Sequence, residues 1–251
     1  MKLTILQRPT PLTAQNFQAT LENEFEQLKG ELTASITLAG FSPGGWAKIN
    51  ITGEDSEIVT ELVANKFAIA QTKLDELDSG NYQAEIIGST GKGLKVDLGS
   101  GPGSLECIIP TSNLYAQLTD GKRLPLRQVL ECYCLYPGVR ISVRVPRPAD
   151  HEIDGWLSDS FIDVLADWVT TGLDRILVFE CFKSEVDSAI SKAHLSRDVI
   201  AVDSRTLTLQ SIVCKLGTDA VGLIPKLGCV LRRHVLKPFQ PKKIVEQCRP
   251  W

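Results

Sequence analysis

Hydrophobic positions along the first 70 residues recur with two periods. Residues 2–6 alternate, which puts Leu3 and Ile5 on one face of a short strand. Thr13 then precedes a run in which Phe17, Leu21, Phe25 and Leu28 recur at helical intervals, and Gly30 ends it. Ala34, Ile36 and Leu38 form one alternating set and Ala47, Ile49 and Ile51 another, joined by the turn Pro43-Gly44-Gly45. A second helix is expected from Asp55 or Ser56, with Ile58, Leu62 and Phe67 inward. The order is β-α-β-β-α.

The pattern changes over 75–148. Short strands at Tyr82–Gly88, Gly93–Leu98, Leu105–Ile109 and Val139–Val145 alternate with glycine-rich turns, and a short helix is expected between Leu124 and Cys134. In the last strand Val139, Ile141, Val143 and Val145 share one face, so Arg140 and Arg144 share the other. This reads as a small β-barrel. Residues 146–152, rich in proline and polar groups, read as a linker.

Beyond the linker, Leu157, Phe161, Val164, Leu165 and Trp168 mark a helix, followed by a strand at Arg175–Phe182. Ser184 and Asp187 suit a capping box for a helix that turns Val186, Ala189, Ile190 and Ala193 inward. Strands at Asp198–Asp203 and Leu207–Cys214, a helix over 219–233 and a last strand at His234–Phe239 complete a second β-α-β-β-α unit with a sixth element. The expected fold class is α+β, with two ferredoxin-like modules, 1–74 and 156–251, flanking a barrel of oligonucleotide-binding type at 75–148.

Candidate chemistry narrows the field mainly by absence of motif. The seven cysteines are scattered through apolar runs, as reduced core thiols are, and Cys132-x-Cys134 lacks the further ligands a zinc site needs. His151, His194 and His234 show no ligand spacing. The clusters Gly88-Ser-Thr-Gly-Lys-Gly93 and Gly99-Ser-Gly-Pro-Gly103 fail the spacing of phosphate loops, and the residues after Gly93 alternate like a strand; both are expected to be turns in which glycine supplies positive φ. No nucleophile or paired-carboxylate motif stands out. The expectation is a non-enzyme with no cofactor, no metal and no small-molecule cofactor site. With no run of about 18 apolar residues, no membrane partner is expected, and the location is read as cytoplasmic.

Charge changes this picture where composition does not. The net charge of −3 argues against a uniformly basic nucleic-acid binder, but its distribution is uneven. Residues 1–119 carry −6, 120–149 carry +4, 150–225 carry −7 and 226–251 carry +6. The basic candidates for RNA contact are Lys92, Lys95, Arg123, Arg127, Arg140 and Arg144 around the barrel, and Arg232, Arg233, Lys237, Lys242 and Lys243 in the tail. Whether these meet RNA or the acidic surface of the same chain is open at the level of sequence.

The central stretch resembles the S-one-type RNA-binding barrel, a member of the oligonucleotide-binding group. The residues that carry the resemblance are Gly80-Asn-Tyr-Gln-Ala-Glu-Ile-Ile-Gly88, Gly93-Leu-Lys-Val-Asp-Leu-Gly99 and Leu105-Glu-Cys-Ile-Ile-Pro-Thr-Ser-Asn-Leu114. The aromatic platform of that family is missing here, its places falling near Lys92, Leu94 and Pro110. As a whole the chain is similar to an archaeal family termed domain of unknown function 2110, from the first helix to Val213-Cys-Lys-Leu-Gly-Thr-Asp-Ala-Val-Gly-Leu-Ile-Pro225 and Gly228. That resemblance implies an archaeal protein of gene expression, in translation or transcription, and carries over no site residues.

The expected function is therefore non-catalytic RNA binding or association with a ribonucleoprotein, the barrel and tail forming the contact surface. The alternative is a protein-interaction adaptor docking on transcription or ribosome components. Its acidic face would be Asp150, Glu152, Asp154, Asp159, Asp163 and Asp167.

Overall fold

The computed structural model describes residues 1–71, 77–99, 105–146 and 153–248. The chain is mixed α+β, with three antiparallel-rich sheets and, among the described residues, eight helices.

In the first module β1 (Lys2–Thr4), β2 (Ala34–Phe41) and β3 (Ala47–Gly53) form an antiparallel sheet in the order β1-β3-β2, and Ile69 adds a single antiparallel bridge to Ile5. Helices α1 (Ala14–Lys29) and α2 (Ser56–Phe67) cover one face. Phe17, Leu21 and Phe25 of α1 are buried as the sequence stripe requires, each contributing about 1.5–3 kcal/mol of burial. The inward residues of α2 are Val59, Val63 and Phe67, whereas Ile58 is 52% exposed. The sequence holds two parallel apolar pairs, Ile58/Leu62 and Val59/Val63. Periodicity alone does not choose between them; packing on β3 does.

The central module is a six-stranded sheet in the order β8-β6-β5-β4-β7-β9. Strands β4 (Gly80–Thr90), β5 (Gly93–Asp97) and β6 (Glu106–Pro110) form a meander, and β7 (Arg140–Val145) returns beside β4. The pairing is that of a sheet with two edges, not of one continuous closed ladder. Both edges are nonetheless occupied by consecutive residues: β8 (Ile153–Asp154) pairs in parallel with β6, and β9 (Trp156–Leu157) pairs antiparallel with β7, with Gly155 between them. The sequence-based start of the C-terminal module at 156 falls inside this crossing segment.

Two helices connect β6 to β7, the expected α4 (Leu126–Cys132) and α3 (Thr111–Leu118), which the sequence had absorbed into the end of a strand. The turn at Gly91-Lys92 joins β4 to β5 as expected, but Gly88, Gly91 and Gly93 are not at positive φ. Gly93 is needed for close approach instead: a Cβ there would lie 2.1 Å from the Ile109 carbonyl oxygen. Of the second cluster, Gly99 does have positive φ (122°), and residues 100–103 lie outside the described residues. So do residues 147–152 of the expected linker, with His151, Asp150 and Glu152.

The last module follows α5 (Asp159–Thr170), whose start is capped by the Ser158 hydroxyl accepting from the Phe161 N–H. Strands β10 (Arg175–Phe179), β11 (Val199–Ser204), β12 (Leu209–Cys214) and β13 (Leu236–Phe239) form an antiparallel sheet in the order β11-β12-β10-β13. Helices α6 (Lys183–Lys192) and α7 (Ala220–Val230) pack Val186, Ile190, Leu223 and Leu227 against it. The α6 cap is not Ser184 with Asp187: the helix begins two residues earlier, with Phe182 at the cap, and the Glu185 carboxylate accepts the Phe182 N–H at 3.0 Å.

The basic tail does not hang free. It forms α8 (Pro241–Gln247), with Ile244 and Cys248 buried against α5, so the central sheet, α5, α8 and the inner face of the last sheet share one core. All seven cysteines are thiols, and no helix among the described residues is long and apolar enough to cross a membrane.

Candidate functional site

The three modules meet around a cavity of about 500 Å³. Its floor is apolar, from Leu6, Ile86, Tyr136, Phe179, Leu209 and Val235, and its charged lining is Arg8, Arg140, Arg233 and Lys237 against Glu85 and Glu180. Four cations face two carboxylates, inside the 300–1,000 Å³ range usual for ligand sites.

The strand pattern places these groups. Arg140 and Glu85 are directly paired residues of β7 and β4, on the face turned away from the central core. The segment after β1 crosses this face: Arg8 forms an ion pair with Glu85, and the Leu6 carbonyl accepts a hydrogen bond from Arg140. The Arg8 guanidinium also lies 4.5 Å from the ring centre of buried Trp46. On the opposite wall Lys237 of β13 sits 4.9 Å from the Tyr136 ring, and Tyr136 meets Phe179 edge to face at 6.2 Å. Glu180, at φ 57°, turns the chain out of β10 at the rim.

Gln7 links the walls. It is 3% exposed, and its Oε1 accepts the Leu207 N–H at 3.1 Å, while its Nε2 has no partner among the described residues. A buried amide with an idle donor beside a cavity is a group waiting for an acceptor.

Burial raises the Glu85 carboxyl above its ordinary value, opposed by Arg8 and Arg140, and burial lowers Arg140 to about 10. A carboxyl whose folded pKa exceeds its unfolded 4.5 gives stability that is full below that pH and is lost as pH rises through the folded pKa. Glu85→Gln is therefore expected to gain on the parent protein as pH increases. Urea midpoints of the two proteins, measured from about pH 4 to about pH 8, check this; a gap that stays constant contradicts it.

Of the eleven basic residues the sequence nominated, this cavity brings together Arg140, Arg233 and Lys237. The others are spread around the molecule. Lys95 pairs with Glu106 at 2.5 Å, and Arg127, exposed, pairs with Glu131 at 2.7 Å along α4. Lys92 occupies the β4–β5 turn and Arg123 an exposed loop. Arg144 is exposed with its guanidinium 6.0 Å from the Trp156 ring centre, and Arg232 donates to the Cys229 carbonyl at 3.1 Å. Lys242 pairs with Glu246 one turn along α8 at 3.9 Å, and Lys242 and Lys243 line an open groove with Asp174 and Asp219, so this part of the tail lies beside acidic groups of its own chain. Arg249 and Trp251 lie outside the described residues.

Sequence reasoning missed Gln7, Arg8, Glu85 and Glu180. Gln7 and Arg8 follow Ile5-Leu6, Glu85 lies between Ala84 and Ile86 inside a strand, and Glu180 lies between Phe179 and Cys181, with no local pattern to mark any of them. The one available signal was the outward face shared by β4 and β7, where Glu85 can be placed opposite Arg140 once the strands are paired.

Residues 173–237, from just before β10 into β13, match the family of the DUF2110 C-terminal domain. None of the curated proteins matches the chain.

Proposed function

We propose that this protein is a non-catalytic RNA-binding protein of the archaeal cytoplasm, acting in gene expression, and that the three-module cavity is where a nucleotide of the RNA is held. The observation that carries the reading is the convergence of Arg8, Arg140, Arg233 and Lys237 over an apolar floor containing Tyr136 and Phe179. Cations there can neutralise phosphate, the aromatic groups offer apolar contact to a base, and the idle Gln7 amide offers a donor. The thiol state of all seven cysteines supports a reducing compartment.

The fold reading belongs to the same proposal. We read the central sheet as an oligonucleotide-binding-type barrel, supported by the meander β4-β5-β6, the return of β7 beside β4, and the crossing of residues 153–157 between both edges. We read the outer modules as ferredoxin-like, supported by the order β11-β12-β10-β13 in the last sheet and β1-β3-β2 in the first.

Titration of the full chain with a short single-stranded RNA and a hairpin RNA at two salt concentrations tests the function. Affinity is expected to fall with salt. Arg233→Ala with Lys237→Ala is expected to weaken both complexes and flatten the logarithmic salt slope by about 1.4, from about 0.7 per phosphate contact. Lys242→Ala with Lys243→Ala, beside their own carboxylates, is expected to leave the slope unchanged. Absence of binding at low salt, or binding indifferent to salt, would overturn the proposal.

One observation favours an adaptor as a second reading. Asp159, Asp163 and Asp167 are all exposed along one face of α5, an acidic stripe suited to a basic protein partner. Partners that co-purify after nuclease treatment support the adaptor; partners lost with nuclease support RNA.

A further inference from the structure

Behind the cavity wall, three potential metal ligands of different type converge. Cys181 comes from the β10–α6 turn, Glu185 from the first turn of α6, and His234 from the turn between α7 and β13. One ligand atom from each lies within 4.8 Å of the other two. Cys181 is fully buried, its N–H held by the Thr208 carbonyl at 2.9 Å and its thiol 3.6 Å from the Phe182 carbonyl oxygen. Glu185 fixes its own carboxylate by accepting the Phe182 N–H, which leaves Oε1 uncommitted among the described hydrogen bonds. Its Oε2 stands 3.8 Å from Cys181 Sγ. Metal–ligand bonds of about 2.0–2.3 Å in a tetrahedron give a ligand–ligand edge of about 3.5 Å, so small side-chain adjustments suffice.

A second observation points to a ligand here. His234 Nδ1 is buried and has no hydrogen-bond partner among the described residues. A buried ring nitrogen without a partner is unfavourable unless something occupies it, and its imidazole is the one that converges with the thiol and the carboxylate.

We propose that Cys181, Glu185 and His234 bind one zinc ion. The set of thiolate, imidazole and carboxylate selects a borderline-soft divalent metal over magnesium or calcium, which take all-oxygen sites. Zinc enters as the dication, Cys181 gives up its thiol proton to solvent, and the exposed position of Glu185 leaves the fourth coordination place to water.

The site ties the two turns that carry Glu180 and Arg233, both of which line the cavity. It stands on geometry separate from the RNA reading, and its test is separate as well. Cobalt(II) added to the full chain is expected to bind at one equivalent, with visible absorption typical of a tetrahedral ion and a near-ultraviolet sulfur-to-cobalt band; zinc then displaces it. Cys181→Ser removes the sulfur band. His234→Ala, at a half-exposed turn position, weakens zinc at least tenfold with the fold retained by circular dichroism. Cys229→Ser, at the exposed thiol, changes neither. Failure to bind cobalt or zinc overturns the proposal, as does a sulfur band that survives Cys181→Ser or disappears with Cys229→Ser. Should Cys181→Ser fail to fold, unaltered zinc affinity in His234→Ala overturns it equally.

Discussion

Replacing Arg140 with alanine is expected to destabilise the protein by about 3–5 kcal/mol, the range for breaking a buried charge arrangement by removing one partner. Arg140 leaves the central sheet and ends on the Leu6 carbonyl of the N-terminal module, beside the Glu85–Arg8 ion pair. Alanine would strand that carbonyl and leave Glu85 with one cation where burial already disfavours its charge. Lysine should recover only part, since an ammonium is more strongly hydrated than a guanidinium and costs more to bury. The internal comparison is Arg144→Ala, two pairs further along the same strand face. Arg144 is exposed, and its only described contact is the Trp156 ring, so a change of no more than about 0.5 kcal/mol is expected. Urea midpoints measure both, and hydrogen exchange at Ile5 and Ala47 reports whether the first module loosens. Equal effects of the two alanines would show that Arg140 does not couple the modules.

The contrast between these two arginines marks how far the sequence could be read. Alternation placed both on the outward face of one strand, and both are there. That one is covered by residues 6–8 and the other is open depends on how the first module lies across the central sheet, and no local period encodes that. The same holds for Glu85, which alternation puts beside Arg140 only after β4 and β7 are paired. Strands and long helices were legible because one buried face repeats over many residues. Helix α8 was not: it is one short segment in a lysine-rich tail, and only Ile244 and Cys248 turn inward. Pro241 opens the helix, and at the first helical position its missing N–H costs nothing.

Segmental charge located two basic stretches but not their neighbours. The +6 tail divides in the structure. Arg233 and Lys237 line the cavity, while Lys242 pairs with Glu246 along α8 and, with Lys243, lines a groove shared with Asp174 and Asp219. The cluster at Cys181, Glu185 and His234 lay beyond sequence reading for the same reason as Glu85. Cys181 and Glu185 are four residues apart, but His234 lies 49 residues beyond Glu185, and a motif search needs ligands that are close along the chain.

The crossing at Gly155 carries the second large expected effect. Here consecutive residues leave the edge of β6 for the edge of β7, and the backbone passes against buried Cys107: a Cβ on residue 155 would lie 2.5 Å from its sulfur and 3.5 Å from the Arg144 carbonyl oxygen. Cys107 is fully buried, so its sulfur has no solvent to move into. Gly155→Ala is accordingly expected to cost about 3 kcal/mol, the upper part of the usual overpacking range. Backbone freedom is not the cause, because Gly155 is not at positive φ; volume is. The cause can be isolated by removing the sulfur. Cys107→Ala alone should destabilise by about 1 kcal/mol through lost packing, but in the Cys107→Ala background Gly155→Ala should cost less than half of its effect in the parent protein. Urea midpoints of the four proteins give the coupling directly. Costs that add to within about 0.5 kcal/mol would mean that the crossing has slack at this point and that the two edges of the central sheet are not held by this close approach.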